Sequence, residues 1–163
     1  MKIKVVILLL LTSLTCFSQN GNRTIDEVYT QLSQHENASY FEVTKEMFKM
    51  LSEAKETSPE FKDYISKLHN LKLLKVTGDN RQSLGNEFYH AFILQVNLKD
   101  YSILMTKKEG QARLSFYKKE GKNENEYLLV STNMTIYIAG TIDLKSLGEF
   151  EQVMDIAGSA FDM

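Results

Sequence analysis

The chain has 163 residues, a formal net charge of −2 at pH 7 and a single cysteine. Its content of charged residues (25%) and hydrophobic residues (43%) is ordinary for a globular protein. The slight acidity argues against nucleic acid as a partner, because binding to phosphates needs a basic surface.

The first predicted element is an export leader. Lys2 and Lys4 precede an uninterrupted apolar run at 5–11, which gives the charged and apolar regions of a secretory signal. The run is shorter than the ~18 residues that suggest a spanning helix, and no later stretch is long and apolar enough either. We therefore predict a signal peptide over 1–18 and an exported protein, periplasmic or secreted, with no transmembrane segment in the mature chain.

Two cleavage sites compete at the end of this leader. A lipoprotein signal needs a small residue directly before its cysteine, whereas the larger Thr15 precedes Cys16. An ordinary peptidase site needs small residues three and one positions before the cut, and Cys16 and Ser18 meet that need. We favour cleavage between Ser18 and Gln19, which removes the cysteine and with it any thiol chemistry. The alternative is a lipid anchor at Cys16.

Helical patterns dominate the mature chain up to residue 98. A capping box, Thr24 to Glu27, begins a helix whose apolar residues recur with helical spacing to about Gln34. Further periodic elements follow in chain order: a strand at 40–44, helices at about 45–55 and 59–70, and a strand at 71–78. The segment 80–98 fits both an alternating strand and a helical row. Its length and the polar cap before it favour a helix.

From Tyr101 onward the pattern changes to a period of two. It predicts four strands that form an antiparallel meander, with the charged run 118–126 as a solvated hairpin loop. A last helix begins at Asp143. We therefore predict an α+β fold: a mainly antiparallel sheet with a C-terminal four-strand meander and helices packed on one face. The mature chain, 19–163, is expected to be one domain with a core at about 24–155 and a loose tail at 156–163.

Several of these segments resemble the family catalogued as domain of unknown function 4252. The resemblance rests on "YFEVTKEMFKML", "LKLLKVTG" and the meander that ends "GTIDL", and it covers roughly Tyr40 to Val153. The leader ending Phe17-Ser18-Gln19 is similar to leaders common in Bacteroidota. The resemblance implies a small exported protein of that phylum, in a family with no established activity and no catalytic motif. Some relatives are encoded near extracytoplasmic sigma factors and membrane-bound regulators, which implies a role in envelope signalling.

The sequence offers no recognisable catalytic constellation, so we expect no enzyme activity and no cofactor. His35, His69 and His90 are too widely spaced for a zinc motif, so no metal is expected. No nucleophile elbow, phosphate-binding loop or dinucleotide fingerprint is present. His90 is the possible functional histidine, because both interpretations of its segment place it among apolar residues.

The tyrosines suggest where a partner would bind. Tyr117 and Tyr137 fall on the sheet face opposite the predicted core, and an uncovered outer face would make them a partner-binding patch. Our leading expectation is a non-enzymatic exported protein that binds another protein, such as an envelope or inner-membrane protein. The alternative is a binder of a small apolar or lipidic ligand between helices and sheet, which the abundant Met, Phe and Tyr residues suggest.

Overall fold

The computed structural model describes residues 21–54, 58–79 and 81–144, so the leader, the predicted last helix beyond Leu144 and the tail lie outside the described residues. Within the described ranges, four helices and six strands follow one another. In chain order they are α1 (Ile25–Ser33), β1 (Ala38–Thr44), α2 (Lys45–Glu53), α3 (Pro59–Ser66), β2 (Leu68–Val76), α4 (Arg81–Gln95), β3 (Ser102–Glu109), β4 (Ala112–Glu120), β5 (Asn125–Ser131) and β6 (Met134–Gly140).

The six strands form one sheet in the order β1-β2-β6-β5-β4-β3, and every neighbouring pair is antiparallel. The last four strands are consecutive neighbours, so the predicted meander and the α+β fold class are confirmed. The meander joins the first hairpin through β6, which pairs with β2. The two edges of the sheet are therefore β1 and β3.

Local capping signals begin the helices largely as the sequence predicts. The Thr24 hydroxyl accepts from the Glu27 backbone N–H at 3.2 Å, and the Glu27 carboxylate accepts from the Thr24 N–H at 2.8 Å. Ser58 likewise caps α3, with Pro59 in the first turn. Thr44 stands at the N-cap of α2, but its side chain makes no capping hydrogen bond.

The described part of the ambiguous segment 80–98 is mainly a helix, α4, as predicted. It buries Leu84, Phe88 and Phe92, which recur four residues apart and lie on one side of the helix. The preceding boundary differs from the prediction, because α3 ends at Ser66 and β2 begins at Leu68. Pairing with β6 draws these residues into the sheet earlier than the local pattern indicates.

Helices cover both faces of the sheet, which corrects the expectation that they pack on one face. One apolar cluster joins α2 and α3 to the sheet, and a second joins α1 and α4 to the opposite face. In β5, Tyr127 and Leu129 belong to the first cluster and Leu128 and Val130 to the second. The physical reason is that the central strands are apolar on both sides, a pattern typical of a sheet buried on both faces.

Candidate functional site

A polar cluster lies on the α1–α4 face of the sheet. We call it the Glu126 cluster, and it comprises Tyr101, Lys119, Glu126 and Tyr137. One carboxylate oxygen of Glu126 accepts from the Lys119 ammonium at 2.7 Å. The other accepts from the Tyr137 hydroxyl at 3.2 Å and also from the Tyr101 hydroxyl. The Lys119 ammonium lies 5.6 Å from the centre of the Tyr101 ring. Three donors therefore hold this carboxylate in one position.

The two phenols in this cluster are poor acids. Burial raises the pKa of Tyr101 well above its usual value, and the hydrogen bond to Glu126 raises it further. Burial and the Glu126 charge raise the pKa of Tyr137 in the same way. Both hydroxyls consequently stay protonated at neutral pH and act as hydrogen-bond donors rather than as bases or nucleophiles.

The cluster forms the floor of a cleft of about 310 Å³. Its walls come from the chain entering α1 and the chain leaving α4. Two backbone hydrogen bonds join these walls: Arg23 N–H donates to the Gln95 carbonyl at 3.0 Å, and Asn97 N–H donates to the Arg23 carbonyl at 2.9 Å. The lining is mostly polar, so this cleft suits polar groups better than a lipid.

A second candidate surface is β3, an edge strand that pairs only with β4 among the described residues. Ile103 and Leu104 are adjacent on it, with 62% and 48% of their surfaces exposed. An irregularity between Ile103 and Met105 places Leu104 outside the regular pairing with β4. None of the described strands pairs with the outer backbone groups of β3, and an edge of this kind can accept a further strand.

The two tyrosines predicted as a partner face do not form an open patch. Tyr117 is only 7% exposed, because it belongs to the cluster beneath α1 and α4. Tyr137 is half-buried and bound to Glu126. The predicted patch required an uncovered face, and the helices cover it. Tyr137 is one of the residues that line the cleft.

The histidines do not converge. His90 lies on the exposed side of α4, where its ring centre is 5.7 Å from that of Tyr89. His35 contacts the Phe88 ring, and His69 bonds Glu124 at 2.9 Å. Among the described residues, no group of three or more His, Cys, Asp and Glu side chains is arranged to hold a metal ion.

The remaining predicted site residues, Cys16, Ser18 and Gln19, lie outside the described residues. In the described ranges, no helix is long and apolar enough to cross a membrane.

The Glu126 cluster is not predicted from the sequence, because its two charged residues lie in the run 118–126. Lys119 and Glu126 were expected in a solvated loop, but they are directly opposite each other in β4 and β5. Their side chains are 35% and 20% exposed. The signal that could have found them is the alternation of β5, which continues back through Glu126 from Leu128 onto the same face.

The fold and these surfaces define a class: a small α+β domain built on a six-stranded antiparallel sheet, with an open edge strand and a polar cleft. The chain belongs to the family described as "Domain of unknown function (DUF4252)", whose model matches residues 29–150. This confirms the family resemblance. The comparison with curated proteins finds no match, and neither does the comparison with solved structures.

Proposed function

We propose that this protein is an exported, non-catalytic binding module, and that it pairs the outer edge of β3 with an extended segment of another protein. The observation that carries the proposal is the adjacent exposure of Ile103 and Leu104 on β3, whose outer edge pairs with no other strand among the described residues. In this mode of recognition, main-chain hydrogen bonds supply affinity and alternate side chains supply specificity.

The other edge of the sheet is less suited to such pairing. Among the described residues of β1, Tyr40 is the large hydrophobic side chain that is exposed, and its hydroxyl donates to the Glu42 carboxylate at 2.8 Å. By contrast, the two exposed large hydrophobic side chains of β3, Ile103 and Leu104, are aliphatic and carry no polar group. Exposed aliphatic residues on an edge strand favour pairing with another chain.

Charge restricts what β3 can pair with. Its last residues include Lys107 and Glu109, which form an ion pair at 2.9 Å, and Lys108 between them. Edge lysines suppress indiscriminate pairing between strands, because an incoming strand must match or displace their charge. The partner segment should therefore be apolar opposite the start of β3 and charge-matched opposite its end.

The cellular setting of the proposal rests on the predicted leader and on the family resemblance. Removal of 1–18 at the Ser18–Gln19 bond leaves a periplasmic or secreted chain. An envelope or inner-membrane protein is the partner class that this location offers, and signalling across the envelope is the process that the resemblance suggests. A lipid anchor at Cys16 would confine the same module to a membrane surface.

A small apolar or lipidic ligand is the second candidate. A groove of about 330 Å³ lies between α2, α3 and the start of β2, and Phe48, Ile65 and Leu68 contribute its apolar lining. Lys45 and Glu46 stand on the same groove, so a ligand there would combine an apolar body with a polar end. Extraction of the purified protein into organic solvent and mass spectrometry of the extract tests this candidate.

The leading proposal is tested by placing a photoreactive amino acid at position 103 in intact cells. A matched control carries it at Thr30, which is exposed on α1, a helix that contacts β1 and β2 at the opposite edge of the sheet. We expect one envelope protein to be captured from position 103 and not from position 30. Terminal sequencing of the captured bait reports whether it begins at Gln19.

Two outcomes would contradict the proposal. In one, both positions capture the same proteins in the same yield. In the other, Leu104→Asp leaves capture from position 103 unchanged, although an aspartate there puts a charge in the middle of the apolar surface. Leu104 is 48% exposed, so this variant should fold, and its circular dichroism spectrum checks that it does.

A further inference from the structure

A basic pocket lies where the β3–β4 hairpin meets α4. We call it the hairpin pocket, and its volume is about 360 Å³. Thr106 and Lys108 of β3 line it together with Arg113 and Ser115 of β4 and Tyr89 of α4. None of the described residues that line the pocket is acidic, although the chain as a whole carries a net charge of −2.

The two cations of the pocket are directly opposite each other in the β3–β4 ladder. Like charges in this position repel and destabilise the strand pair. Neither Lys108 nor Arg113 makes an ion pair with another residue in the described part of the chain; the neighbouring Lys107 takes Glu109 instead. Among the described residues, the hairpin therefore holds two positive charges side by side with no carboxylate paired to either.

Three hydroxyl groups and the Tyr89 ring also line the pocket. The Tyr89 and Ser115 hydroxyls are 2.9 Å apart and share a hydrogen bond, and Ser115 is buried. Thr106 lies directly opposite Ser115 in the ladder. The Arg113 guanidinium lies 5.9 Å from the centre of the Tyr89 ring, which orients it.

We infer that the hairpin pocket binds an oxyanion, a carboxylate or a phosphate group, between Lys108 and Arg113. A guanidinium presents paired N–H donors to such a group, and an ammonium adds a point charge. The anion would also remove the repulsion between the two cations. This inference goes beyond the proposed function, because the pocket is separate from Ile103 and Leu104 and needs no partner strand.

The test is a titration of the full mature chain, followed by amide resonances in nuclear magnetic resonance spectra. Sodium phosphate and sodium acetate are the two probes, each at constant ionic strength maintained with sodium chloride. We expect at least one probe to shift the amides of Thr106 and Ser115 saturably. Arg113→Gln should weaken that binding about tenfold, the effect of losing one charge-assisted contact.

The matched control is Lys75→Gln. Lys75 is an exposed strand lysine, but it faces the uncharged Ser39 and Met134 in its two ladders. Its loss changes the net charge as Arg113→Gln does, and it should leave anion binding unchanged. The inference is overturned if neither probe gives saturable shifts at the pocket, or if the two variants bind equally. Saturation by phosphate alone or by acetate alone identifies which oxyanion the pocket prefers.

A second readout separates a ligand site from a purely structural cluster. Lys108→Gln removes the like-charge repulsion, so it should raise the thermal midpoint of the anion-free protein and reduce the rise that the anion produces. A structural role for the Lys108 charge predicts a lower midpoint instead, and that result would count against the inference.

Discussion

Replacing Gly85 by alanine tests how closely α4 is pressed against the sheet. A Cβ atom added at Gly85 would lie 1.7 Å from the carbonyl oxygen of Thr132 and 2.9 Å from its carbonyl carbon. These are backbone atoms in the turn between β5 and β6, so no side-chain rotation relieves the contact. The turn is itself anchored: Thr132 N–H donates to the Arg113 carbonyl at 3.1 Å, and Val76 N–H donates to the Asn133 carbonyl at 3.0 Å.

The clash must outweigh the helical preference for alanine. In an unconstrained helix, replacing glycine by alanine stabilises by about 1 kcal/mol. Forcing extra volume into a close-packed interior costs about 1–3 kcal/mol, and this contact, which requires α4 or the turn to move, belongs at the upper end. We expect Gly85→Ala to lower the free energy of unfolding by about 2 kcal/mol, or the melting temperature by about 4–8 °C.

Urea unfolding followed by circular dichroism measures this change, because the chain has no tryptophan to report by fluorescence. Ser83→Ala is the control, since Ser83 is exposed in the same helix. That variant should be unchanged or slightly more stable. The reasoning is refuted if Gly85→Ala is as stable as the natural chain or more stable, because α4 would then stand away from Thr132.

Three further predictions concern charged and titrating groups. Lys72 is 8% exposed, and its ammonium lies 2.6 Å from Asp26 and 3.3 Å from Glu42. Lys72→Met should lower the free energy of unfolding, measured in urea, by about 1–2 kcal/mol. This loss is smaller than for a fully buried ion pair, because Asp26 is exposed. Burial acts to raise the pKa of Glu42, but hydrogen bonds and the Lys72 charge lower it overall, below 4.5. Its contribution to stability is therefore present above about pH 4.5 and lost as pH falls through the lowered pKa, so Glu42→Gln should flatten the acid side of a stability–pH curve. Because the pKa values of Tyr101 and Tyr137 are raised above 10, stability should fall as pH rises past 10, and ultraviolet absorbance should show these phenols ionising only with unfolding.

Features set by neighbouring residues could be predicted from the sequence. The capping box at Thr24, the proline in the first turn of α3 and the helical row in α4 depend on residues within a few positions of one another. The turn at Gly110 has a positive φ of 59°, which glycine adopts readily, and it closes β3 and β4 into the predicted hairpin. Each of these features depends on residues close together in the chain, so it can be predicted without knowing how distant segments pack.

Features set by pairing between distant segments could not be predicted. Nothing near β6 indicates that it pairs with β2, and this pairing makes β3 an edge and leaves Ile103 exposed. The same limit applies to α2, where the helical row predicts a buried stripe but Phe48 alone is buried among its described residues. Met47, which falls on that predicted stripe, is 48% exposed, whereas Leu51 is partly buried against the sheet.

The two proposed binding surfaces lie on one strand, and their relation can be measured. A strand added to the edge of β3 would place a residue directly opposite Lys108 on the α4 face, at the mouth of the hairpin pocket. An acidic residue of the partner strand would then be the oxyanion in the pocket. Leu104→Asp and Arg113→Gln would both weaken binding of that same strand. In a double-mutant cycle with the captured partner, their effects should then depart from additivity by more than about 0.5 kcal/mol. If the pocket instead takes a free anion, the two effects should add, since the altered side chains stand at opposite ends of the hairpin.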